Sequence, residues 1–491
     1  MNNILVLDIG SSSTRALVFD EFANLVPGLI TRRPLAFKVT ADGGAEDDAR
    51  QAFERMAQAL DELQALVHEQ PVNIKAIGIS AYACSLVCLD AQGEPLTPVY
   101  TYADTRSAGD ARVLRSERDE MPALQRTGCR IRANYLPGRI AWIRRTQPEV
   151  FARTRWFASL NDYLSLRLFG AIKGGLSVWS WSGLLNRQTC DWDPTWLSDL
   201  NLSAEQLPQL AASDEWLGPL RPELCERWPM LKDVPCLPAV GDGAAANIGS
   251  GCVDTRHVAV TVGSTAALRI VRAGTSAQAL PSSLWCYRVD AARELIGGAT
   301  TEGGNVFSWL RDTLRLPAAD ALDAAMQRLP PDAHKLDILP LFAGERSPGY
   351  SENSRATVHG LTFDVTPEAL ARACLEAIAY RLEMIYTELK ALAQPGAQLV
   401  ASGGALLASP TWCQIIADVT NSPLVMCEEP EATSRGIAIL ALERTQNLTD
   451  LAGLVGSTRL GHPYQPDAQR HAIYQQALAR QQALYERVVG A

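Results

Sequence analysis

Two stretches of this 491-residue chain, lying about half a chain apart, follow one pattern. The first occupies positions 4–19 and runs through Asp8-Ile9-Gly10-Ser11-Ser12-Ser13-Thr14-Arg15. The second occupies 258–271 and runs through Thr261-Val262-Gly263-Ser264-Thr265. Each is an apolar strand, a glycine followed by small hydroxyl residues, and a second apolar strand, which predicts a β-hairpin with a small polar tip. Small residues let the backbone approach an anion closely, and successive N–H groups with hydroxyls can bind phosphate oxygens. Two such hairpins point to a duplicated fold whose halves grip one nucleotide. Two unrelated hairpins would look the same in sequence.

The rest of the chain alternates. Helical patterns cover 47–68, 107–118, 138–146, 161–168, 305–314, 367–393 and 410–420, with a last helix from Ala468; strands are expected at 74–80, 85–89 and 398–401. Strands alternating with helices indicate mixed α/β sheets covered by helices. The proline-rich stretch 228–238 reads as the junction before the second half.

Composition narrows the function classes. A formal charge of -9 argues against a general nucleic-acid binder, which carries a basic footprint. No apolar run approaches the roughly 18 residues that cross a bilayer, and positions 1–10 lack the basic start of a signal peptide. The 11 cysteines are scattered with no CxxC pair, so they are expected to be buried reduced thiols of a cytosolic protein rather than metal ligands.

Three sites carry candidate chemistry. Asp8 ends an apolar strand just before the first loop, where a carboxylate is either a Mg²⁺ partner beside a triphosphate or a local turn acceptor. Gly241-Asp242-Gly243 puts one acid between two glycines at the start of an Ala-rich helix. The helix N-terminus favours the ionised form, and such an acid can take a proton from a bound alcohol or simply cap the helix. Ser402-Gly403-Gly404-Ala405 follows a strand and opens a helix through Trp412 and Gln414; it is a tight turn with room for a flat base.

Taken together in this order, these motifs resemble the FGGY carbohydrate kinases, the sugar and polyol kinases of the actin-like ATPase fold, nearly end to end. The resemblance implies an α/β chain of two actin-like (ribonuclease H-like) ATPase domains, about 1–245 and 246–491, with an interdomain catalytic cleft. It implies ATP and Mg²⁺, with Asp242 as catalytic base and Asp8 helping to hold Mg²⁺-ATP. Gly10, Ser11, Ser12, Ser13 and Arg15 would line one side of the phosphates, and Gly263, Ser264 and Thr265 the other. Gly304 and Gly404 would flank the nucleotide, with Ser409 near its base.

Within the family, Tyr102-Ala103-Asp104-Thr105-Arg106, Thr127-Gly128-Cys129 and Gly344-Glu345-Arg346-Ser347-Pro348 look like the gluconokinase branch, with xylulokinases next. Members of that branch usually carry a bulky residue and a His just before Ser85-Leu86; here Ala83 and Cys84 stand there. The substrate side is expected to be Tyr82, Ala83, Cys84, Asp104, Arg132, Asn134 and Asp242, with Arg132 where relatives often have His. The ATP half looks intact and the sugar half rebuilt.

Eight arginines between 126 and 155 concentrate positive charge, and Arg132 is the one expected to attract a sugar-acid carboxylate; the others read as solvated helix faces. Trp179, Trp181, Trp192 and Trp196 read as packing rather than sugar stacking. The expected function is ATP-dependent phosphorylation of a primary hydroxyl of a small sugar, sugar acid or polyol, in the cytoplasm, without nucleic-acid or membrane partners; the oligomeric state is open, with a homodimer as one option. The alternatives are a xylulokinase-like ketose kinase, and a regulatory protein that binds sugar and ATP without transfer.

Overall fold

A computed structural model describes residues 2–212, 214–275, 278–448 and 450–490. Asn3–Ile9 (β1) and Ser13–Phe19 (β2) are buried at nearly every position, the mark of strands covered on both faces. They pair antiparallel with Asp8 opposite Arg15. Leu25–Pro34 (β3) extends the sheet beyond β2 and turns Leu29 and Thr31 inward. On the other side, Ile74–Ala81 (β4) runs parallel to β1, and Val240–Gly241 (β5) parallel to β4. Ala49–Glu69 (α1), capped by Asp48, covers β2 and β3 with Phe53, Met56, Leu60 and Leu63. The chain leaves this sheet directly into Asp242–Gly249 (α2).

The second half builds a second sheet from His257–Val262 (β6), Ala266–Ala273 (β7), Trp285–Arg288 (β8), Arg293–Ala299 (β9), Gln398–Ser402 (β10), Leu424–Cys427 (β11) and Leu460–Tyr464 (β12). Its order is β8-β9-β7-β6-β10-β11-β12, against β5-β4-β1-β2-β3 in the first. Both contain the same five-strand core: three antiparallel strands continued by two parallel ones, with the hairpin in the middle. The sequence likeness of the hairpins is therefore a likeness of whole sheets. Helix Gly304–Leu314 (α3) follows β9; Pro367–Lys390 (α4), capped by Thr366, packs on β7 and β9, and Pro410–Thr420 (α5) packs on α4.

Ala432–Thr445 (α6) comes from the second half of the chain yet lies on β1 and β4 of the first sheet and crosses α2. The crossing is backbone on backbone: a Cβ on Gly249 would overlap the carbonyl of Ala432, and one on Gly436 the carbonyl of Ala245.

The stretch 228–238 is not a junction. Trp228 is fully buried in the first core, Ile77 N–H donates to Pro235, and Leu237 N–H donates to Ile77. Its prolines punctuate a segment that completes the first sheet, and the passage between sheets is α2. All the cysteines are free and most are buried. No helix among the described residues is long and apolar enough to cross a membrane.

Candidate functional site

The first hairpin tip exposes Ser11 and Ser12, while Gly10 N–H donates to the Ser13 carbonyl at 3.0 Å. Ser13 is corrected as a phosphate ligand: its side chain is buried at the start of β2. Asp8, at the end of β1, is buried and accepts hydrogen bonds from Arg15 and, at 3.0 Å, from Ser434 Oγ at the start of α6. Arg15 also pairs with Glu431, so it is neutralised by two carboxylates instead of standing free for phosphates. Burial pushes the Asp8 carboxyl above its ordinary range, against the opposing pull of Arg15 and Ser434.

Mg²⁺ bound with nucleotides takes one or two protein carboxylates plus phosphate oxygens and water. Asp8 fits that requirement, because both its hydrogen bonds fall on Oδ2. Among the described residues no three His, Cys, Asp or Glu side chains form a self-sufficient metal cage.

The second hairpin tip exposes Ser264 and Thr265 and is braced from behind. Gly304 N–H donates to Gly263 O at 2.7 Å and Asn305 N–H to Ser264 O at 3.2 Å, so the first turn of α3 docks on the loop. A Cβ on Gly303 would stand 2.7 Å from the Thr265 carbonyl carbon, and one on Gly304 2.8 Å from Gly263 O. Gly304 thus shapes the loop through close approach. Gly403, at φ 103°, turns the chain against Val262, and Gly404 beyond it is exposed with open space around its Cα. Ser409 is corrected: it is buried, donates to Asp323, and accepts from Trp412 N–H at 3.2 Å as the cap of α5.

Asp242 sits at the first position of α2, directly after β5. Gly243 N–H donates to its Oδ1 at 2.7 Å, and Gly241 N–H donates to Ser177 Oγ at 3.2 Å. Both glycines lie against the Trp181 indole; a Cβ on Gly243 would come 2.7 Å from the ring and one on Gly241 3.0 Å from Nε1. Burial pushes the Asp242 carboxyl up to about 6, Gly243 N–H pulls it back, Asp8's charge adds to the rise and Arg269 opposes it. A carboxylate tuned near neutrality suits proton acceptance.

The substrate-side residues divide. Tyr82 is buried, donates to Asp47 at 3.3 Å, and packs edge-on against Phe37 and Tyr102. Ala83 is buried beside it. Cys84, at φ 57°, donates its S–H to the Trp181 carbonyl at 3.0 Å, and burial pushes its thiol up to about 12, so it stays neutral. Asp104 is corrected: it is buried, paired with Arg106 and bonded by Ala45 N–H, a clamp between loops. Arg132 is corrected too. It pairs with Glu120 and Glu352, and its guanidinium lies over the Tyr350 ring, so its charge is already answered. Asn134 lies half-buried in the following turn.

Three participants escaped the sequence reading. Glu431 and Ser434 come to Asp8 from beyond position 430, and Arg269 sits in the middle of an otherwise apolar run, 266–271, which is the signal that could have marked it. Size marks nothing here: a cavity of about 950 Å³ is lined by Ser177, Val240, Arg293 and Glu443 and holds no phosphate-loop residue.

The N-terminal domain model of the FGGY family of carbohydrate kinases matches residues 3–249, and the C-terminal domain model of the same family matches 289–443. The gluconokinase of Bacillus subtilis (strain 168) is 27% identical over 487 residues, covering 95% of this chain and 93% of the relative. The xylulose kinase of Escherichia coli (strain K12) is 26% identical over 492 residues, covering 98% of each. A ligand-bound xylulose kinase structure from Lactobacillus acidophilus superposes with a TM-score of 0.93 at 24% identity, over 100% of this chain and 99% of that one, a likeness of fold.

Proposed function

Since this chain belongs to the FGGY family of carbohydrate kinases and is an ATP-dependent phosphotransferase, we propose that it phosphorylates a primary hydroxyl of a small sugar acid or polyol, in the manner of a gluconokinase. The observation that supports this reading is Asp242, at the junction of β5 and α2 within electrostatic reach of Asp8 behind the first loop and Arg269 on β7, with a carboxyl pushed up to about 6.

In the transfer, Asp242 accepts the hydroxyl proton as the alcohol oxygen bonds to the γ-phosphorus. The bond from that phosphorus to the β–γ bridging oxygen breaks, and ADP leaves. The exposed tips Gly10–Ser12 and Gly263–Thr265 hold phosphate oxygens with backbone N–H groups and hydroxyls. Asp8 would hold Mg²⁺, which when bound would neutralise charge on the phosphates. Closing the two halves excludes water, which would otherwise take the phosphoryl group.

A ketose acceptor is the second reading, favoured by the xylulose kinase relative of nearly equal identity. Measuring ADP release on gluconate, xylulose and glycerol separates the two. Asp242→Asn should lower kcat by about 10²–10⁴ while nucleotide binding persists; near-normal turnover would remove Asp242 from the reaction. As pH falls through about 6, kcat/KM should drop with protonation of the base.

The stability effect has the opposite sign. A carboxyl held above its unfolded value of about 3.9 binds its proton more tightly when folded, so stability declines as pH rises from there to about 6. Asp242→Asn should abolish that part of the decline, read by denaturant titration at several pH values.

A further inference from the structure

With Arg132 answered by Glu120 and Glu352, the cation facing the acceptor must come from elsewhere. Arg269 lies on β7 directly opposite Gly297 of β9, which is itself opposite Trp285 of β8. Residues opposite one another across strands share a face. A Cβ on Gly297 would come 2.8 Å from the Trp285 ring, so Arg269 rises from the face that carries that ring.

From there an aromatic wall leads to the catalytic acid. Trp285 stacks on Tyr287 with centroids 4.4 Å apart, Tyr287 stacks on Trp181 at 3.9 Å, and Trp181 lies against the glycines on either side of Asp242. Arg269 Nη1 donates to Thr261 Oγ1 at 3.2 Å, while its Nε is buried without a partner. Trp181 Nε1 and Trp285 Nε1 are likewise buried donors without acceptors.

Arg269 makes no ion pair among the described residues; the charge of Asp242 reaches it from beyond pairing distance. Arg346, exposed on the neighbouring loop and also without an ion pair, repels it. Two cations without carboxylate partners and two indole donors without acceptors suit an anion that also carries hydroxyls.

Resting on the kinase reading above, we propose that Arg269, assisted by Arg346, binds the carboxylate of the acceptor, so that the alcohol phosphorylated is a polyhydroxy acid of the aldonate class. The indole N–H groups of Trp181 and Trp285 take its hydroxyls.

The test compares gluconate with glucitol, which has the same skeleton with CH₂OH in place of the carboxylate, and with xylulose. The protein should prefer gluconate. Arg269→Gln should raise the KM for gluconate about 100-fold while the KM values for glucitol, xylulose and ATP stay level, and so erase the preference. Arg269→Lys should restore part of it, and the exposed Arg346→Gln should show a smaller loss of the same kind. A titration of gluconate into Arg269→Gln in the presence of ADP reads binding directly if turnover is lost.

A gluconate preference that survives Arg269→Gln, or a higher KM for ATP with the acceptor KM values level, would take Arg269 off the carboxylate and overturn the proposal. Turnover of xylulose or glucitol without gluconate overturns it while leaving the kinase intact. No turnover on any acceptor removes the kinase reading itself.

Discussion

The two hairpin loops share a sequence pattern and a place in their sheets, yet they are held by different forces. The first is held by charge: Asp8, Arg15, Glu431 and Ser434 form one network behind its tip. The second is held by backbone: the first turn of α3 docks on Gly263 and Ser264, with Gly303 and Gly304 too close to the loop for any side chain. Similar sheet cores carry both loops, but of the residues bracing them only those behind the first include carboxylates. Damage to the first loop should therefore be electrostatic and damage to the second steric.

The sharpest way to separate them is Asp8→Asn. It keeps the shape and removes the charge, so kcat should fall by about 10²–10³. Burial already holds that carboxyl above its ordinary value, so ionising it at neutral pH costs stability, and the variant's melting temperature should stay level or rise. A marked fall in melting temperature would break the comparison by making the network structural.

At the second loop, Gly304→Ala places a methyl between Gly263 and Ala405. Overpacking of about 1–3 kcal/mol should displace the tip and raise the KM for ATP, with a smaller effect on kcat. An unchanged KM would mean the loop does not touch nucleotide. The smallest effect is expected at Ser409→Ala, which removes a helix cap worth about 1 kcal/mol and leaves nucleotide affinity alone. Denaturant unfolding beside an ATP titration checks both halves of that statement.

What was legible in the sequence was whatever is written locally. Apolar runs broken by Gly-Ser gave both hairpins, and the spacing of apolar residues gave the helix at 410–420 to the residue. The acid between Gly241 and Gly243 was legible for the same reason. Partnerships across the chain were not. Arg132 looked free because Glu352 lies far along the chain, and Asp104 looked open because Arg106 returns onto it only when the loop folds. Ser409 sits in the right motif, but its hydroxyl is committed to Asp323, from another helix. The placing of α6 on the opposite sheet follows from tertiary packing that no periodicity encodes.

That placement has a mechanical corollary. Where Gly249 meets Gly436, the two polypeptide backbones touch with no side chain between them, so nothing pliable cushions that crossing. A single methyl group there would act as a wedge, prising apart two helices drawn from distant parts of the chain.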